Sequence, residues 1–352
     1  MKVSLLGDIA FLEESTLDGS WEKIISNVSP IVKSCDLAIA NLETPLTSKT
    51  KTSVCKGMHL KSDSRTCNIL QALGVEYVSL ANNHIFDFGF SSLRDTTDTL
   101  SSRGIKYFGL SGSNEIVVDN EISIHGFCCY STNAAGMSKK EGDGLVVPLT
   151  RENVELALEQ DARRGLLSIL CFHWGDEYSH YPNARQIKFV EEITALYPCI
   201  IQGHHAHVMQ GIQEVNGSAV FYNQGNFYFD KCISPVNEKL VIEQSEETRR
   251  SYLAILDIQN GRLVSQSIVG VENAGSALEV CDIDAELSHY SDHVRDMLLP
   301  EVAQVLNEKR YALRSENHPS HDIKWLASKL NYYSIGAKLK SYINDSLYKK
   351  AF

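Results

Sequence analysis

Three histidines in five residues, in the stretch GHHAH at 203–207, mark the place where this sequence is richest in reactive groups. They follow the apolar run CII and one glutamine. Five other apolar runs are also followed at once by side chains that can bind a metal or move a proton. The residues that follow the six runs are Asp8; Asn41 and Glu43; Asn82, Asn83 and His84; His173; His204, His205 and His207; and Asn223 and Asn226. Because sites in open α/β sheets form at the carboxyl ends of strands, this pattern predicts one converging site.

Carboxylate, amide-oxygen and imidazole groups together define the kind of metal that such a site would hold. The set lies between hard and borderline ligands and suits Mn²⁺, Fe²⁺ or Zn²⁺. On an extended segment, the side chains of His205 and His207 would point to the same side. Taken singly, each group also fits another role: Asp8 a turn, His173 a hydrogen-bonded core residue, and GHHAH an exposed loop. Their joint placement favours the metal site.

Short apolar runs alternate with amphipathic segments over most of the chain, and this order predicts an α/β fold. The runs are almost wholly apolar, as expected for strands covered on both faces. The predicted strands are 2–6, 36–40, 77–81, 166–172, 198–202 and 219–223, and the predicted helices lie near 20–34, 64–73, 89–103, 151–164 and 184–197. Residues 251–271 predict a hairpin that turns at Asn260-Gly261. Beyond about residue 280 the pattern predicts helices without further reactive groups.

The composition narrows the class of protein. The 352 residues include 43% hydrophobic and 22% charged side chains, which is typical of a folded soluble protein. A net charge of -11 disfavours nucleic-acid binding, which usually needs a basic surface. The nine cysteines are odd in number and form no CxxC pair, which indicates a reducing compartment. No run is long and apolar enough for a membrane span or a secretory signal, so we expect a cytoplasmic protein.

Six motifs, in order along residues 7–227, carry a resemblance to a known family. They are GDIAF, NLETPLT, SLANNHIFDFG, HWGDEY followed by Pro182 and Gln186, GHHAHVMQGI, and YNQGNF. The chain resembles the poly-γ-glutamate capsule protein CapA family, within the calcineurin-like metallophosphoesterase superfamily. The resemblance implies a four-layer α-β-β-α sandwich over residues 1–275 and a helical C-terminal extension over 276–352. It also implies a metal-dependent, phosphoesterase-like hydrolase that acts in the biosynthesis of capsule or another cell-surface polymer or polysaccharide.

The resemblance also assigns residues to two divalent metal ions, with Mn²⁺ as the first expectation and Fe²⁺ or Zn²⁺ as alternatives. By this resemblance the ligands are Asp8 and His207 at the first metal, Asn83, His173 and His205 at the second, and Glu43 at both. His84 would be the proton donor, and Asp87 would orient its ring. His204 would contact the substrate.

Two positions depart from the phosphoesterase pattern. That pattern begins D-x-H, whereas Ala10 stands in place of the histidine, and Glu43 replaces the bridging aspartate. The first departure removes one ligand of the first metal. A second function therefore stays open, that of a non-hydrolytic metal-binding subunit of a poly-γ-glutamate or polysaccharide synthesis complex. A γ-glutamyl amide hydrolase or transferase is a third, because metal-activated water also attacks carbonyl groups.

The substrate side of the site is predicted from charge and ring chemistry. Lys56, Lys61 and Arg65 follow the NLE motif and could grip an anionic small molecule or polymer; a solvated basic loop is the alternative. Trp174, in HWGDEY, could stack on a sugar or base or else pack in the core. Asn226, in YNQGNF, is also expected to contact substrate. We expect a second copy or a synthesis-complex partner to bind at the C-terminal helices.

Overall fold

Two β-sheets packed face to face form the centre of this protein. They are seen in a computed structural model that describes residues 1–13, 16–137, 143–236, 241–305, 308 and 332–351. The first sheet comprises β1 (Lys2–Ala10), β2 (Leu37–Leu42), β3 (Tyr77–Ser79), β4 (Lys106–Phe108), β11 (Asn226–Phe229), β14 (Arg250–Gln259), β15 (Arg262–Asn273) and β16 (Leu278–Cys281). Its order is β16-β15-β14-β1-β2-β3-β4, and β11 also pairs with β1.

The second sheet has six strands. They are β5 (Glu115–Val118), β6 (Ile122–Cys128), β7 (Leu167–His173), β8 (Ile200–His204), β9 (Ile212–Val215) and β10 (Ser218–Phe221). Their order is β5-β6-β7-β8-β10-β9. A separate two-stranded ladder joins β12 (Cys232–Ile233) to β13 (Val241–Ile242).

The structure describes eight α-helices, and the first six of them cover the outer faces of the two sheets. They are α1 (Trp21–Ile25), α2 (Ser29–Val32), α3 (Thr66–Leu73), α4 (Phe90–Ser102), α5 (Arg151–Arg164), α6 (Ala184–Thr194), α7 (Asp284–Asp292) and α8 (Tyr332–Ala351). One cluster of buried side chains joins α1–α4 to the first sheet, and another joins α5 and α6 to the second. A third cluster lies between the sheets. The architecture is the four-layer α-β-β-α sandwich that the resemblance implied, with a C-terminal helix added.

Strand alternation lets one strand serve two of these clusters. In β7, Ile169 and Cys171 belong to the cluster between the sheets, whereas Leu170 and Phe172 belong to the cluster beneath α5 and α6. Successive side chains point to opposite faces, so a strand buried on both faces must be apolar throughout. His173 is the next residue of the inner face, and the strand therefore delivers it to the end of the interface between the sheets.

The predicted elements are largely confirmed. The six predicted strands correspond to β1, β2, β3, β7, β8 and β10, and the five predicted helical segments to α1 with α2, α3, α4, α5 and α6. The hairpin is β14 and β15, and Asn260 and Gly261 have φ of 53° and 66°, as a type I′ turn requires. The predicted strands do not include β4, β5 and β9, whose side chains are partly exposed, and they also miss β6 and β11, which are buried throughout.

The first sheet continues beyond residue 275, the predicted end of the main domain, because β16 pairs with β15. Helices α7 and α8 confirm helical structure after residue 280, while 306, 307 and 309–331 lie outside the described residues. In α8, Tyr333 donates to the Thr52 carbonyl at 2.9 Å and Asn344 Nδ2 to Asn133 Oδ1 at 3.3 Å. Among the described residues, no helix combines the length and apolarity needed to cross a bilayer.

All nine cysteines are free thiols, as expected, and six of them are buried. Burial raises the pKa of the Cys128 thiol to about 12 and that of Cys129 to about 11. A thiol in this state stays protonated at neutral pH and is a poor nucleophile and metal ligand. The buried cysteines therefore act as small core residues.

A buried polar network joins the second sheet to α5. The Asp161 carboxylate accepts hydrogen bonds from His125 Nε2 at 2.9 Å, Ser168 Oγ at 2.6 Å and Ser123 Oγ. Its other oxygen accepts from Arg164 at 2.5 Å. Burial raises the pKa of the Asp161 carboxyl, but the hydrogen bonds, led by that of His125, outweigh burial and lower the pKa to about 2. The network therefore stabilises the fold in its ionised form.

Asp161→Asn is expected to lower the free energy of unfolding at pH 7 by about 1–3 kcal/mol, the usual cost of disrupting hydrogen bonds to a buried charge. Because the folded pKa lies below the ordinary value of 3.8, this wild-type advantage is full above that value and is lost as the pH falls toward 2. Urea unfolding of both proteins at pH 7 and pH 3 measures the effect, with Ser168→Ala as the milder control. A difference that is the same at both pH values would contradict the role given to Asp161.

Candidate metal centre

The carboxyl ends of four strands bring polar side chains together between the two sheets. In the first sheet β1 and β2 are parallel, with Asp8 beside Asn41, and in the second β7 and β8 are parallel, with His173 beside His204. Asp8 Oδ1 of one sheet lies 2.9 Å from His204 Nδ1 of the other. The polar groups at these strand ends therefore share one buried site.

Five of the predicted ligands form two overlapping groups that could each hold a metal. Glu43, His173 and His205 make one group, and Asp8, Glu43 and His207 make the other. Within each group the ligand atoms lie within 4.8 Å of one another, and Glu43 belongs to both. If each group held an ion, Glu43 would be the residue that the two groups share.

Asn83, the sixth predicted ligand, lies beside the group that contains His173. Its Oδ1 is 3.2 Å from His173 Nε2, and its Nδ2 donates to the Thr132 carbonyl at 3.3 Å. The preceding Asn82 has a different place, since its Nδ2 donates to Asn41 Oδ1 at 3.0 Å. The structure thus brings all six predicted ligands to one centre, with the neighbouring asparagines in support.

The histidines that follow β8 owe their positions to an irregular loop. His205 and His207 have φ of 94° and 60°, in the left-handed region that residues other than glycine rarely adopt. The segment is therefore not extended, and the expectation that alternation aligns the two side chains is wrong, although both imidazoles reach the site. Such backbone strain persists only where surrounding contacts hold it, and it clusters at functional sites.

Two glycines allow strands to approach closely enough to build the site. A Cβ on Gly7 would overlap the Gly225 carbonyl, and the oxygen of that carbonyl accepts the Asp8 amide at 3.0 Å. A Cβ on Gly203 would overlap the Tyr222 carbonyl. A larger residue at either position would displace β1 or β8 and the polar residue that follows.

His204 was predicted to contact substrate, but in the structure its imidazole pairs with the Asp8 carboxylate. Asp8 Oδ1 also accepts from Asn41 Nδ2 at 2.8 Å, and Oδ2 accepts the His205 amide at 3.0 Å. Burial raises the pKa of Asp8, but the hydrogen bond and the charge of His204 outweigh burial and hold the pKa below its usual value. His204 is 1% exposed, so it stabilises the ionised carboxylate from within the protein.

Asn226, also predicted to contact substrate, contacts a candidate ligand. Its Oδ1 lies 2.9 Å from His207 Nδ1, and because an amide oxygen only accepts, Nδ1 carries the proton. The Asn226 amide nitrogen donates to the Thr248 carbonyl at 3.1 Å, which fixes its orientation. The other ring nitrogen, His207 Nε2, faces the centre and lies 3.9 Å from Glu43 Oε1. Partners of this kind orient a ligating histidine.

The charges of the site suit a bound cation. Burial and the nearby Asp8 carboxylate raise the pKa of Glu43 well above its usual range. Burial, followed by the positive charge of neighbouring histidines, lowers the pKa of His173 well below its usual range, and burial lowers that of His205 to about 4. Both imidazoles are therefore neutral at neutral pH, as metal ligands must be. A divalent ion would also offset the repulsion between Asp8 and Glu43.

Two buried atoms of the ligand groups point to the same chemistry. Glu43 Oε1 and His205 Nδ1 have no hydrogen-bond partner among the described residues. Leaving a buried polar atom unpaired is costly and uncommon. Carboxylate oxygens and unprotonated imidazole nitrogens are ligands for Mn²⁺, Fe²⁺ or Zn²⁺, so the residues present fit the ions that the resemblance implied.

His84 lies beside the centre, with Asp87 behind its ring. His84 Nδ1 is 2.7 Å from Asp87 Oδ2, and this oxygen also accepts the Leu60 amide at 2.7 Å. Burial raises the pKa of Asp87, but the charges of Lys56 and His84 outweigh burial and lower it. The carboxylate is therefore ionised, so His84 Nδ1 carries a proton toward it and Nε2 is the atom left for chemistry.

The protonation state of His84 differs from the one expected for an unperturbed proton donor. Burial, with the nearby charge of Lys56, lowers the pKa of His84 to about 4 in spite of Asp87. At neutral pH the ring is neutral, and Nε2 is a proton acceptor. An anionic group bound beside the ring would raise the pKa again.

Trp174 is a core residue, and its predicted stacking on substrate is wrong. Its side chain is 1% exposed, and Nε1 donates to the Tyr222 carbonyl at 3.1 Å. Its ring packs 5.0 Å from that of Phe172, in the cluster beneath α5 and α6. Alternation past His173 turns Trp174 to the face away from the centre, where packing and not substrate surrounds it.

The three predicted basic contacts do not form a substrate-binding surface. Arg65 pairs with Asp63 and Asp18, each at 2.5 Å. Neither Arg65 nor Lys61 lines the pocket at the centre. Lys56 is buried against Asp87, with Nζ 3.0 Å from Oδ1. Position after the NLE motif does not reveal which of these side chains turns inward.

A small pocket opens onto the centre. His84, His207 and Asn226 line it, together with Glu177 and Tyr178 from the loop after β7. Its apolar wall is formed by Met58, Leu60, Phe229, Cys232 and Ile242. Glu177 is not among the predicted site residues, although it stands in the HWGDEY motif four residues after His173.

The fold and the site together define an α/β sandwich protein with a buried cluster of carboxylates and histidines at its strand ends. A model of the family described as "Bacterial capsule synthesis protein PGA_cap" matches residues 2–231. The chain therefore belongs to this family, which is the one that the sequence motifs indicated.

Relatives with curated names agree with this family. The chain is 26% identical over 254 residues to the PGA biosynthesis protein CapA of Bacillus subtilis (strain 168), covering 69% of this chain and 67% of that protein. It is 26% identical over 275 residues to the capsule biosynthesis protein CapA of Bacillus anthracis, covering 73% and 66%. A probable polyglutamine synthesis accessory protein of Mycobacterium tuberculosis (strain ATCC 25618 / H37Rv) is 25% identical, with coverage of 65% and 64%. The chain thus spans about two thirds of each relative.

Solved structures show a more distant likeness. A hypothetical protein from Thermus thermophilus aligns with a TM-score of 0.44 and 17% identity, over 78% of this chain and 100% of that one. The sulfate thiohydrolase SoxB of the same organism aligns with a TM-score of 0.42 and 11% identity, over 81% and 46%. These scores are low, and the likenesses carry no weight for function.

Proposed function

We propose that this protein is a metal-dependent, phosphoesterase-like hydrolase with a dinuclear centre, acting in the biosynthesis of capsule or another cell-surface polymer. The observation that supports this most is the Glu43 carboxylate, which belongs to two groups of buried ligands. A group placed between two ions is the arrangement that two-metal hydrolases use. The names of the two Bacillus relatives support the setting in polymer biosynthesis.

The residues of the centre divide between two ions. We assign Asp8, Glu43 and His207 to the first, and Glu43, Asn83, His173 and His205 to the second, with Mn²⁺ ahead of Fe²⁺ and Zn²⁺. Three protein ligands at the first ion would leave coordination positions open for water or substrate, as catalytic sites require. Ala10 in place of a histidine therefore does not exclude activity. The chemistry that bound ions supply here is Lewis-acid activation of water and of the scissile group.

His84 is the residue that we assign to proton transfer. It lines the pocket, and it belongs to neither ligand group. Asp87 holds its Nδ1, so Nε2 is the atom that exchanges a proton with the reacting oxygen. In this assignment Asp87 orients the ring and does not touch the substrate.

An amide substrate is the second candidate, and the pocket favours it. Glu177 and Glu243 line the pocket, and no lysine or arginine does so among the described residues. Lys231 pairs with Glu243 at 2.6 Å, but Glu177 adds negative charge close to His205 and Glu43. The scissile amide of a γ-glutamyl substrate is neutral, so an acidic lining opposes its approach less than that of a phosphate dianion.

A non-hydrolytic accessory role is the third candidate, and two observations favour it. The Mycobacterium tuberculosis relative is named a probable synthesis accessory protein. Ala10 also reduces the ligands of the first ion relative to the phosphoesterase pattern. In this role the centre would bind metal without turnover.

One experiment separates the three candidates. The metal content of the purified protein is measured, and a panel of phosphoesters and γ-glutamyl amides is then tested with added Mn²⁺. Bound metal with phosphoester turnover supports the first function, and turnover of the amides alone supports the second. Bound metal without any turnover supports the accessory role, whereas a protein that binds no divalent metal overturns the dinuclear centre.

A further inference from the structure

Lys56 is a charged residue beside the centre that neither the ligand groups nor the pocket lining includes. Its side chain is only 5% exposed. Lysine is rarely so buried, because its ammonium loses hydration that protein groups must replace. The groups that replace the water therefore indicate what this residue does.

Among the described residues, the polar contacts of the Lys56 ammonium all belong to the turn that follows β3. Nζ lies 2.5 Å from the Asn83 carbonyl oxygen, 3.1 Å from His84 Nδ1 and 3.0 Å from Asp87 Oδ1. The Asn83 carbonyl is part of the peptide that joins the candidate ligand to the candidate proton carrier. One ammonium thus holds both the backbone between these two residues and the carboxylate behind the ring.

The contacts also define where the protons lie. An ammonium only donates, and an ionised carboxylate only accepts. If His84 Nδ1 carried no proton, it would face Asp87 Oδ2 at 2.7 Å with a lone pair against a lone pair. Nδ1 is therefore protonated, and Lys56 directs its donors to Asp87 and the Asn83 carbonyl. Lys56 acts on this tautomer through Asp87: it holds the carboxylate that accepts from Nδ1, and this leaves His84 Nε2 free.

A substrate-binding role does not fit this geometry. Lys56 is buried behind the turn and does not line the pocket. Lys61, in the same loop, is partly exposed and has no such contacts among the described residues. Removing the Lys61 ammonium is therefore a matched control for removing that of Lys56.

We propose that Lys56 is a positioning residue, whose ammonium holds the Asn83–His84 peptide and Asp87 so that Asn83 Oδ1 and His84 Nε2 both serve the centre. This inference rests on the proposed function and adds a residue to it. Lys56 acts through its neighbours and touches no substrate.

The test compares Lys56→Met and Lys61→Met with the wild type in the full-length protein. Mn²⁺ content, kcat and KM for p-nitrophenyl phosphate, and the ¹⁵N shifts of the His84 ring are measured; the His84 signals are those missing from His84→Gln. We expect Lys56→Met to lower kcat by about 10–100-fold, the usual cost of losing a residue that supports a ligand. KM should stay close to wild type, the His84 shifts should move toward a mixture of tautomers, and Lys61→Met should match the wild type throughout.

Wild-type kcat together with wild-type His84 shifts in Lys56→Met would overturn the proposal. If the wild type binds Mn²⁺ but hydrolyses nothing, the hydrolase assignment fails, and the ring shifts alone decide the role of Lys56. Lys56→Arg covers the case in which Lys56→Met does not fold. It keeps a cation for Asp87, but a planar guanidinium cannot reproduce one nitrogen placed between the Asp87 carboxylate and the Asn83 carbonyl, so kcat should fall and the shifts should move. Unchanged values in Lys56→Arg would then overturn the proposal.

Discussion

His205→Ala is expected to lose bound metal and hydrolytic activity together. His205 belongs to the ligand group of Glu43 and His173, and its ring centroid lies 4.7 Å from that of His173. Without it, the second ion keeps only those two side chains and Asn83. The loss of activity should exceed the roughly 10–100-fold typical of residues that merely support a ligand. Metal analysis after dialysis, together with kcat in added Mn²⁺, measures both effects.

Backbone strain at His205 calls for a second variant. With φ at 94°, alanine would remain strained there, whereas glycine would not. His205→Gly therefore removes the ligand and relieves the backbone at once. Metal loss in both variants identifies the imidazole as the cause, and metal loss in the alanine variant alone identifies the backbone.

His293→Ala, at an exposed site outside the ligand groups, should match the wild type. Full metal content in both His205 variants would remove this residue from the centre.

Much of the centre is predictable from the sequence, because the carboxyl ends of parallel strands lie at the same edge of a sheet. Once β1, β2, β7 and β8 are recognised as apolar runs, Asp8, Glu43, His173 and His205 must lie near one edge of the sandwich. No knowledge of which strands are neighbours is needed for this. The same reasoning finds Asn83 after β3, even though that strand has only three residues.

Other features depend on contacts that no local pattern encodes. Trp174 and His173 are adjacent and point to opposite faces of the second sheet. Trp174 packs in the core because α5 and α6 cover its face, whereas His173 reaches the centre between the sheets. Lys56, Lys61 and Arg65 look alike in the sequence, yet only Lys56 meets a buried carboxylate, because the loop after β2 lies against the turn after β3. Asn226 reaches His207 because β11 pairs with β1 from far along the chain. Tertiary packing determines each of these outcomes.

His84→Ala is expected to lower turnover by roughly 10²–10⁴-fold, the range for loss of a general acid or base. Metal content should stay at the wild-type level, because His84 belongs to neither ligand group. The His84 ring lines the pocket and is neutral. Asp87 holds its Nδ1, so Nε2 is the ring nitrogen that the reaction would use. Metal analysis beside kcat for wild type, His84→Ala and His205→Ala makes the comparison.

Asp87→Asn shows whether the pair acts as a unit. If Asp87 works only by orienting His84, the double variant His84→Ala, Asp87→Asn should be no slower than His84→Ala, because effects of residues that act together do not add. Losses that multiply would give Asp87 a role of its own.

If His84→Ala loses metal as His205→Ala does, then His84 is a ligand and the proton-transfer role is wrong. Unchanged turnover in a metal-loaded His84→Ala would place the proton on another group. Glu177, the pocket carboxylate whose charge acts on His205, would then be the residue to replace next.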